Sequence, residues 1–171
     1  MEKKPASIIQ SGLIITVVLA IYGLIIYISD LYSQQWLSYL TYFLLCLMII
    51  IAVINYAKSK NGLVTFGQAF MWGFKTTAIV ILFYAVYSII FLLIFPEFKD
   101  KLIQITREGM EKQNTPDDQM ETALSMMDRM FYLFMFLGLI FFFLLFGVIG
   151  SLLGAAFAKK KPISPFDRQP A

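Results

Sequence analysis

The sequence contains no histidine and only one cysteine among its 171 residues. Histidine is the commonest metal ligand and the usual general base near neutral pH, so its absence removes the most frequent metal sites and acid–base mechanisms. A lone thiol cannot form an internal disulfide, and we expect Cys46, which lies in an apolar run, to serve as a small packing residue. We therefore predict no catalytic, cofactor-binding or metal-binding residues and no enzymatic activity.

Charge is scarce as well, at 15% of residues, and it is missing from four long apolar runs. These runs are 8–28, 37–57, 76–95 and 131–158. Because a helix rises about 1.5 Å per residue, each run is long enough to cross a hydrocarbon core of about 30 Å. Unpaired backbone amides are costly in lipid, so each run should be helical. The sequence predicts an all-α polytopic membrane protein with four transmembrane helices.

The third run has a helical lead-in. Thr65 and Gln68 have the spacing of a capping box, and Pro96 ends the helix that starts there. A helix of this length exceeds what the hydrocarbon requires, so we place Trp72 at the interface and the third span at about 70–95. Residues 1–160 are then expected to form a single four-helix membrane domain.

The basic residues lie mainly on one side of the predicted membrane domain. That side carries Lys3, Lys4, Lys58, Lys60, Lys159, Lys160, Lys161 and Arg168 against Glu2 and Asp167. The opposite side, mostly residues 96–130, has more acidic than basic residues. Lys and Arg near span ends remain cytoplasmic, so we predict cytoplasmic N- and C-termini and an extracytoplasmic 96–130 segment. The proline-rich tail, 161–171, is predicted to be disordered.

The 96–130 segment is predicted to form helices. A first amphipathic helix should end near Gly109 and Asn114. Thr115 as N-cap and Pro116 as first helical residue should open a second helix. Its apolar stripe consists of Met120, Ala123, Leu124, Met127, Met130, Phe131 and Phe134. Because this stripe enters the fourth run without interruption, we expect one helix from about 116 to 158.

Lys75 lies at the edge of the third apolar run. An ionisable residue within a span is a candidate substrate or ion site. However, the apolar runs contain no acidic residue to pair with it, and its stem is long enough to reach the headgroups. We expect Lys75 to extend to the cytoplasmic headgroups and keep a substrate or ion site as the alternative.

The fourth run ends in small residues that let helices approach closely. They are Gly147, Gly150, Ser151 and Gly154, and they include a GxxxG match. We expect this face to pack on span one or span three, with homo-oligomerisation through span four as the alternative.

The extramembrane segment offers a second type of surface. Residues 98–130 are a candidate binding site for a protein partner, whereas Asp117, Asp118 and Glu121 lack the spacing of a calcium loop. The methionines of the second helix are expected to pack, with an adaptable binding surface or a copper(I) site as alternatives.

The third span also carries a recognisable motif. It consists of Thr65, Phe66, Gly67, Phe70 and Gly73. Together with the four spans and the helical segment before the last one, it resembles the bacterial domain-of-unknown-function family 4199 over about residues 5–160. The resemblance implies a four-span protein of the bacterial inner (cytoplasmic) membrane and implies no activity. We expect the motif residues to act as a helix cap and in close packing.

These observations favour a non-enzymatic accessory, scaffold or envelope interaction protein with the lipid bilayer around it and no nucleic-acid partner. The alternative is a small oligomeric transporter or channel subunit, which Lys75 and the small-residue face of the fourth run favour. A membrane enzyme is the third hypothesis, and it lacks a visible constellation of catalytic groups.

Overall fold

The computed structural model describes residues 7–31 and 34–158. The basic residues at 1–6 and the predicted disordered tail at 161–171 lie outside the described residues. Within the described ranges the chain forms six helices and no strand. They are α1 (Ile8–Ile28), α2 (Gln35–Ser59), α3 (Phe66–Ile94), α4 (Glu97–Lys112), α5 (Asp117–Arg129) and α6 (Phe131–Phe157).

The four long helices α1, α2, α3 and α6 correspond to the four predicted spans. Each is long and apolar enough to cross a membrane. Many of their large apolar side chains are exposed and few are buried, which in a bilayer means contact with lipid. The predicted all-α, multi-pass membrane architecture is confirmed.

Side-chain caps fix where two of the spans begin. The backbone N–H of Gln68 donates to Thr65 Oγ1 at 3.2 Å, and the N–H of Thr65 donates to Gln68 Oε1 at 3.0 Å. The predicted capping box of α3 is therefore confirmed. Ser7 and Gln10 form the same reciprocal pair before α1, a cap that the sequence reading missed.

The chain divides into two compact units, of which the first holds α1, α2, α3 up to Phe83 and α6 from Phe142. Leu19, Leu45, Ile49 and Val80 lie in its interior with no exposed surface. Glycines bring α3 into contact with α1, α2 and α6, so α3 is the helix that all other spans of this unit touch.

The second unit, Tyr84–Phe141, holds the end of α3, the helices α4 and α5, and the start of α6. α4 and α5 pack on each other, and Leu124 and Phe131 are buried. The ring of Phe91 contacts those of Phe95 and Phe98 at centroid distances of 5.1 and 5.3 Å. These rings join the last turn of α3 to the first turn of α4.

Two expectations about the helices that follow residue 115 are wrong. α5 and α6 are separate helices, interrupted at Met130, where φ is −112° and ψ is 22°. α5 packs on α4, a tertiary contact that an uninterrupted apolar stripe does not indicate. α5 also starts one residue later than expected, because Pro116 takes the N-cap position and no side chain caps the helix. Asp117 and Asp118 in the first turn complement the helix dipole instead.

Replacing Thr65 tests the cap of α3. Thr65→Ala removes the oxygen that accepts from Gln68 and should lower the free energy of unfolding by about 1 kcal/mol. Thr65→Ser keeps this oxygen and should remain close to wild type. The measurement is an unfolding curve in mixed detergent micelles, and equal losses in both variants would contradict the role of the hydroxyl.

Candidate functional site

Small residues meet where α2, α3 and α6 converge, and we call this the small-residue seam. It consists of Gly73 and Thr77 on α3 and Gly147, Gly150, Ser151 and Gly154 on α6. All six are buried. The sequence therefore places small side chains where three helix backbones come closest.

The contacts of α3 in the seam leave no room for a methyl group. A Cβ at Gly73 would lie 2.6 Å from Val53 Cγ2 and 2.7 Å from Ser151 Oγ. A Cβ at Gly147 would overlap the side chain of Thr77. Real side chains hardly ever approach this closely, so these two glycines are required for α3 to pack on α6 as it does.

The contact between α6 and α2 is equally close. A Cβ at Gly150 would lie 2.9 Å from the backbone oxygen of Cys46, and one at Gly154 would lie 2.8 Å from Val53 Cβ. Cys46 thus belongs to this packed interface, as a small residue does. The predicted small-residue face of span four packs on α2 and α3, and its contact with α2 was not expected from the sequence.

The buried hydroxyl groups in and beside the seam are hydrogen-bonded within their own helices. Thr77 donates to the backbone oxygen of Gly73 at 3.1 Å, Ser151 to that of Gly147 at 2.7 Å, and Thr76 to that of Trp72 at 2.9 Å. Among the described residues, no buried side-chain nitrogen or oxygen lacks a hydrogen-bond partner. The seam is thus a packed contact whose polar atoms are already satisfied.

The residues of the motif at the start of α3 have different structural roles. Thr65 caps the helix, and Gly73 is part of the seam. The rings of Phe66 and Phe70 stack with their centroids 6.5 Å apart. Gly67 is exposed, and a Cβ there would meet no atom within 4 Å. Close packing within the chain therefore does not explain Gly67, contrary to our expectation.

Lys75 is exposed on α3, whereas Thr76 and Thr77 beside it are buried. A Cβ at Gly12 of α1 would lie 2.5 Å from Cγ2 of Ile79, which puts these two residues at the same level. Alternate spans run in the same direction. Ile8, four residues before Gly12, is therefore level with Lys75, four residues before Ile79. Lys75 thus lies at the depth where α1 begins, a position that favours contact of its ammonium group with headgroups.

An ion pair links α4 to α5. Lys99 Nζ lies 2.7 Å from Asp128 Oδ1 and 5.8 Å from the centre of the Phe131 ring. The hydrogen bond to the Asp128 carboxylate raises the pKa of Lys99 above its ordinary value. No group of histidine, cysteine or acidic residues within the described chain is arranged to hold a metal ion.

Two glycines of α6 form a matched pair for testing the seam. Gly147→Ala places a methyl group against Thr77 and should cost about 1–3 kcal/mol of stability. Gly138→Ala, on the same helix, meets no atom within 4 Å and should be neutral or slightly stabilising. The measurement is the free energy of unfolding of both variants in mixed micelles. Similar stability of the two variants would mean that the close approach of α6 to α3 is unimportant.

Removing the charge of Lys99 should loosen the pairing of α4 with α5. In Lys99→Met, amide hydrogen exchange in both helices should be faster than in the control Lys112→Met, which changes an exposed lysine at the end of α4. Because folding raises the pKa of Lys99, the stabilisation is present at neutral pH and is lost as the pH rises through that pKa, above 10.5. Unaltered exchange in Lys99→Met would show that the ion pair does not hold the helices together.

Residues 10–160 match the family described as "Protein of unknown function (DUF4199)". No curated protein and no solved structure matches the chain. The family match includes α2 to α6 entirely and all but the first two residues of α1. The resemblance seen in the motif at the start of α3 is thereby confirmed. The chain is a four-span membrane protein that belongs to the DUF4199 family of proteins of unknown function.

Proposed function

We propose that this protein is a non-enzymatic accessory or scaffold protein of the bacterial inner membrane. In this proposal the pair of helices α4 and α5 lies outside the cytoplasm and binds a protein partner. The observation that supports the proposal is that α4 and α5 pack on each other as an ordered helical pair. The ion pair of Lys99 with Asp128 and the buried Leu124 hold α4 and α5 together in the segment between α3 and α6.

The exposed surface of the pair is predominantly acidic. Its exposed carboxylates are those of Glu97, Asp100, Glu108, Glu111, Asp117, Asp118, Glu121 and Asp128, against the exposed cations Arg107, Lys112 and Arg129. Complementary charge accelerates association and selects among partners. A partner with a basic surface therefore fits this pair best.

The orientation rests on the distribution of basic residues. Lys58 and Lys60 lie at the end of α2, with Lys75 in the first half of α3, and further basic residues lie at both chain ends. Such residues are retained on the cytoplasmic side. Cytoplasmic termini then place α4 and α5 on the opposite side of the membrane.

The state of the polar groups in the spans also favours this role over a transporter or channel subunit. A conducting path needs polar groups that are free to coordinate a solute. Thr76, Thr77 and Ser151 are buried and bonded within their own helices, and Lys75 is exposed on the outer surface of α3. Transport by this chain would require a polar path elsewhere or one shared among copies.

Cysteine labelling tests the orientation. In a Cys46→Ala background, Gln113→Cys lies between α4 and α5, and Leu63→Cys lies in the loop before α3. A membrane-impermeant maleimide should label the first variant in intact spheroplasts and the second only after permeabilisation. The reverse pattern would refute cytoplasmic termini and the outward position of α4 and α5.

Photo-crosslinking tests the partner. A photoreactive residue replacing Gln104, which is exposed on α4, should capture one protein in native membranes, whereas the same residue at the exposed Ile89 of α3 should capture lipid. Neutralising the acidic surface with Glu108→Gln and Glu111→Gln should reduce capture severalfold, while Lys60→Gln should not. Absence of protein adducts at Gln104, or flux in proteoliposomes that Lys75→Met abolishes, would overturn the accessory role.

A further inference from the structure

A groove of about 440 Å³ runs along one face of α5. Thr122, Ser125, Met126, Arg129 and Met130 line it. At 100° per residue, these positions lie opposite the buried Leu124. The groove is thus on the side of α5 that does not enter the core of its unit.

The apolar part of the groove leads into the surface of a membrane span. Met126 and Met130 are 51% and 41% exposed, and the exposed apolar residues continue at helical spacing with Phe134 and Leu137 of α6. The N–H of Met130 donates to the backbone oxygen of Met126, and the N–H of Phe134 donates to that of Met130. These bonds keep the residues on successive turns despite the interruption. The groove is therefore continuous with a surface that contacts lipid.

The position of the groove along the chain matches the depth of a headgroup. Met126 lies five residues before Phe131, where the apolar span begins, and this spacing corresponds to about 7.5 Å along a helix. The headgroup layer extends about 5–7 Å beyond the hydrocarbon core on each side. A lipid in the groove would place its polar part beside Arg129 and its chain along Met130 and Phe134.

The hydrogen bonds of the groove define which headgroup fits. Thr122 already donates to the backbone oxygen of Asp118 at 2.8 Å, and Ser125 donates to that of Thr122 at 2.9 Å. Both hydroxyls are therefore available to a ligand as acceptors. Arg129 is a fork of donors suited to a phosphate. The ligand must accept at Arg129 and donate about one helical turn away, at Ser125.

Phosphatidylethanolamine has this combination, because its phosphate and its primary ammonium are separated by two carbons. The quaternary ammonium of phosphatidylcholine has no N–H to donate. Phosphatidylglycerol is a net anion, which the carboxylates of Asp117, Asp118 and Glu121 on the same helix disfavour.

We infer that the α5 groove is a binding site for one phosphatidylethanolamine molecule of the adjacent leaflet. Its phosphate lies at Arg129 and its ammonium at the hydroxyls of Thr122 and Ser125. One acyl chain runs from there past Met130 and Phe134 towards the membrane.

The test uses the full chain in nanodiscs that contain equal parts of phosphatidylethanolamine, phosphatidylcholine and phosphatidylglycerol. Native mass spectrometry then counts the lipids that remain on the ejected protein. Wild type should retain phosphatidylethanolamine about threefold more than phosphatidylcholine, as one partly exposed charged contact allows. Ser125→Ala should lower this ratio towards one, because the hydroxyl accepts from the ammonium, whereas Arg129→Gln should reduce the retention of both lipids, because both carry the phosphate.

The matched control is Arg107→Gln, which removes an exposed arginine from α4 and should keep both the wild-type retention and the wild-type ratio. Thermal unfolding of Arg129→Gln verifies that the variant is folded. Three results would overturn the inference: no preference for phosphatidylethanolamine in wild type, unchanged lipid retention in Arg129→Gln, or a preference for phosphatidylglycerol that Arg129→Gln removes. A protein crosslinked at Ser125 in native membranes would likewise assign the groove to another occupant.

Discussion

The absence of side chains at Gly147, Gly150 and Gly154 lets the backbone of α6 approach α2 and α3 to within van der Waals contact. In a bilayer the surrounding lipid is as apolar as the helices, so burying apolar surface does not drive the spans together. Close packing and dispersion must supply the association. The same kind of close approach joins α3 to α1 at Gly12. The packing of the first unit therefore depends on glycines at each of these helix contacts.

The spans were predictable because hydrocarbon thickness and backbone hydrogen bonding act on each run of sequence independently. The cap at Thr65 was predictable for the same reason, since all its atoms lie within four residues. The contact of α6 with α2 and the interruption at Met130 depend on tertiary packing, for which the local pattern has no signal. For Gly67 a contact was expected that the structure does not show, because this glycine of the motif faces open space.

The candidate surfaces follow the same division. The seam was foreseeable as a row of small residues that could pack on α3, but its contact with α2 was not. The groove on α5 was not predicted, because the methionines of this helix were expected to pack. Leu124 and Phe131 take the buried positions, and Met126 and Met130 are exposed. A helix has two opposite faces, and a sequence rich in methionine on both does not reveal which one is covered.

Charge is distributed unequally between the contacts that hold each unit. The seam contains no ionisable group, so the packing of α6 against α2 and α3 changes little with ionic strength and pH. The pairing of α4 with α5 includes a partly exposed ion pair, whose strength mobile ions reduce. The ionic composition outside the bilayer can therefore alter the helical pair while the membrane bundle keeps its packing, so that one chain contains a part sensitive to its aqueous surroundings and a part insulated from them.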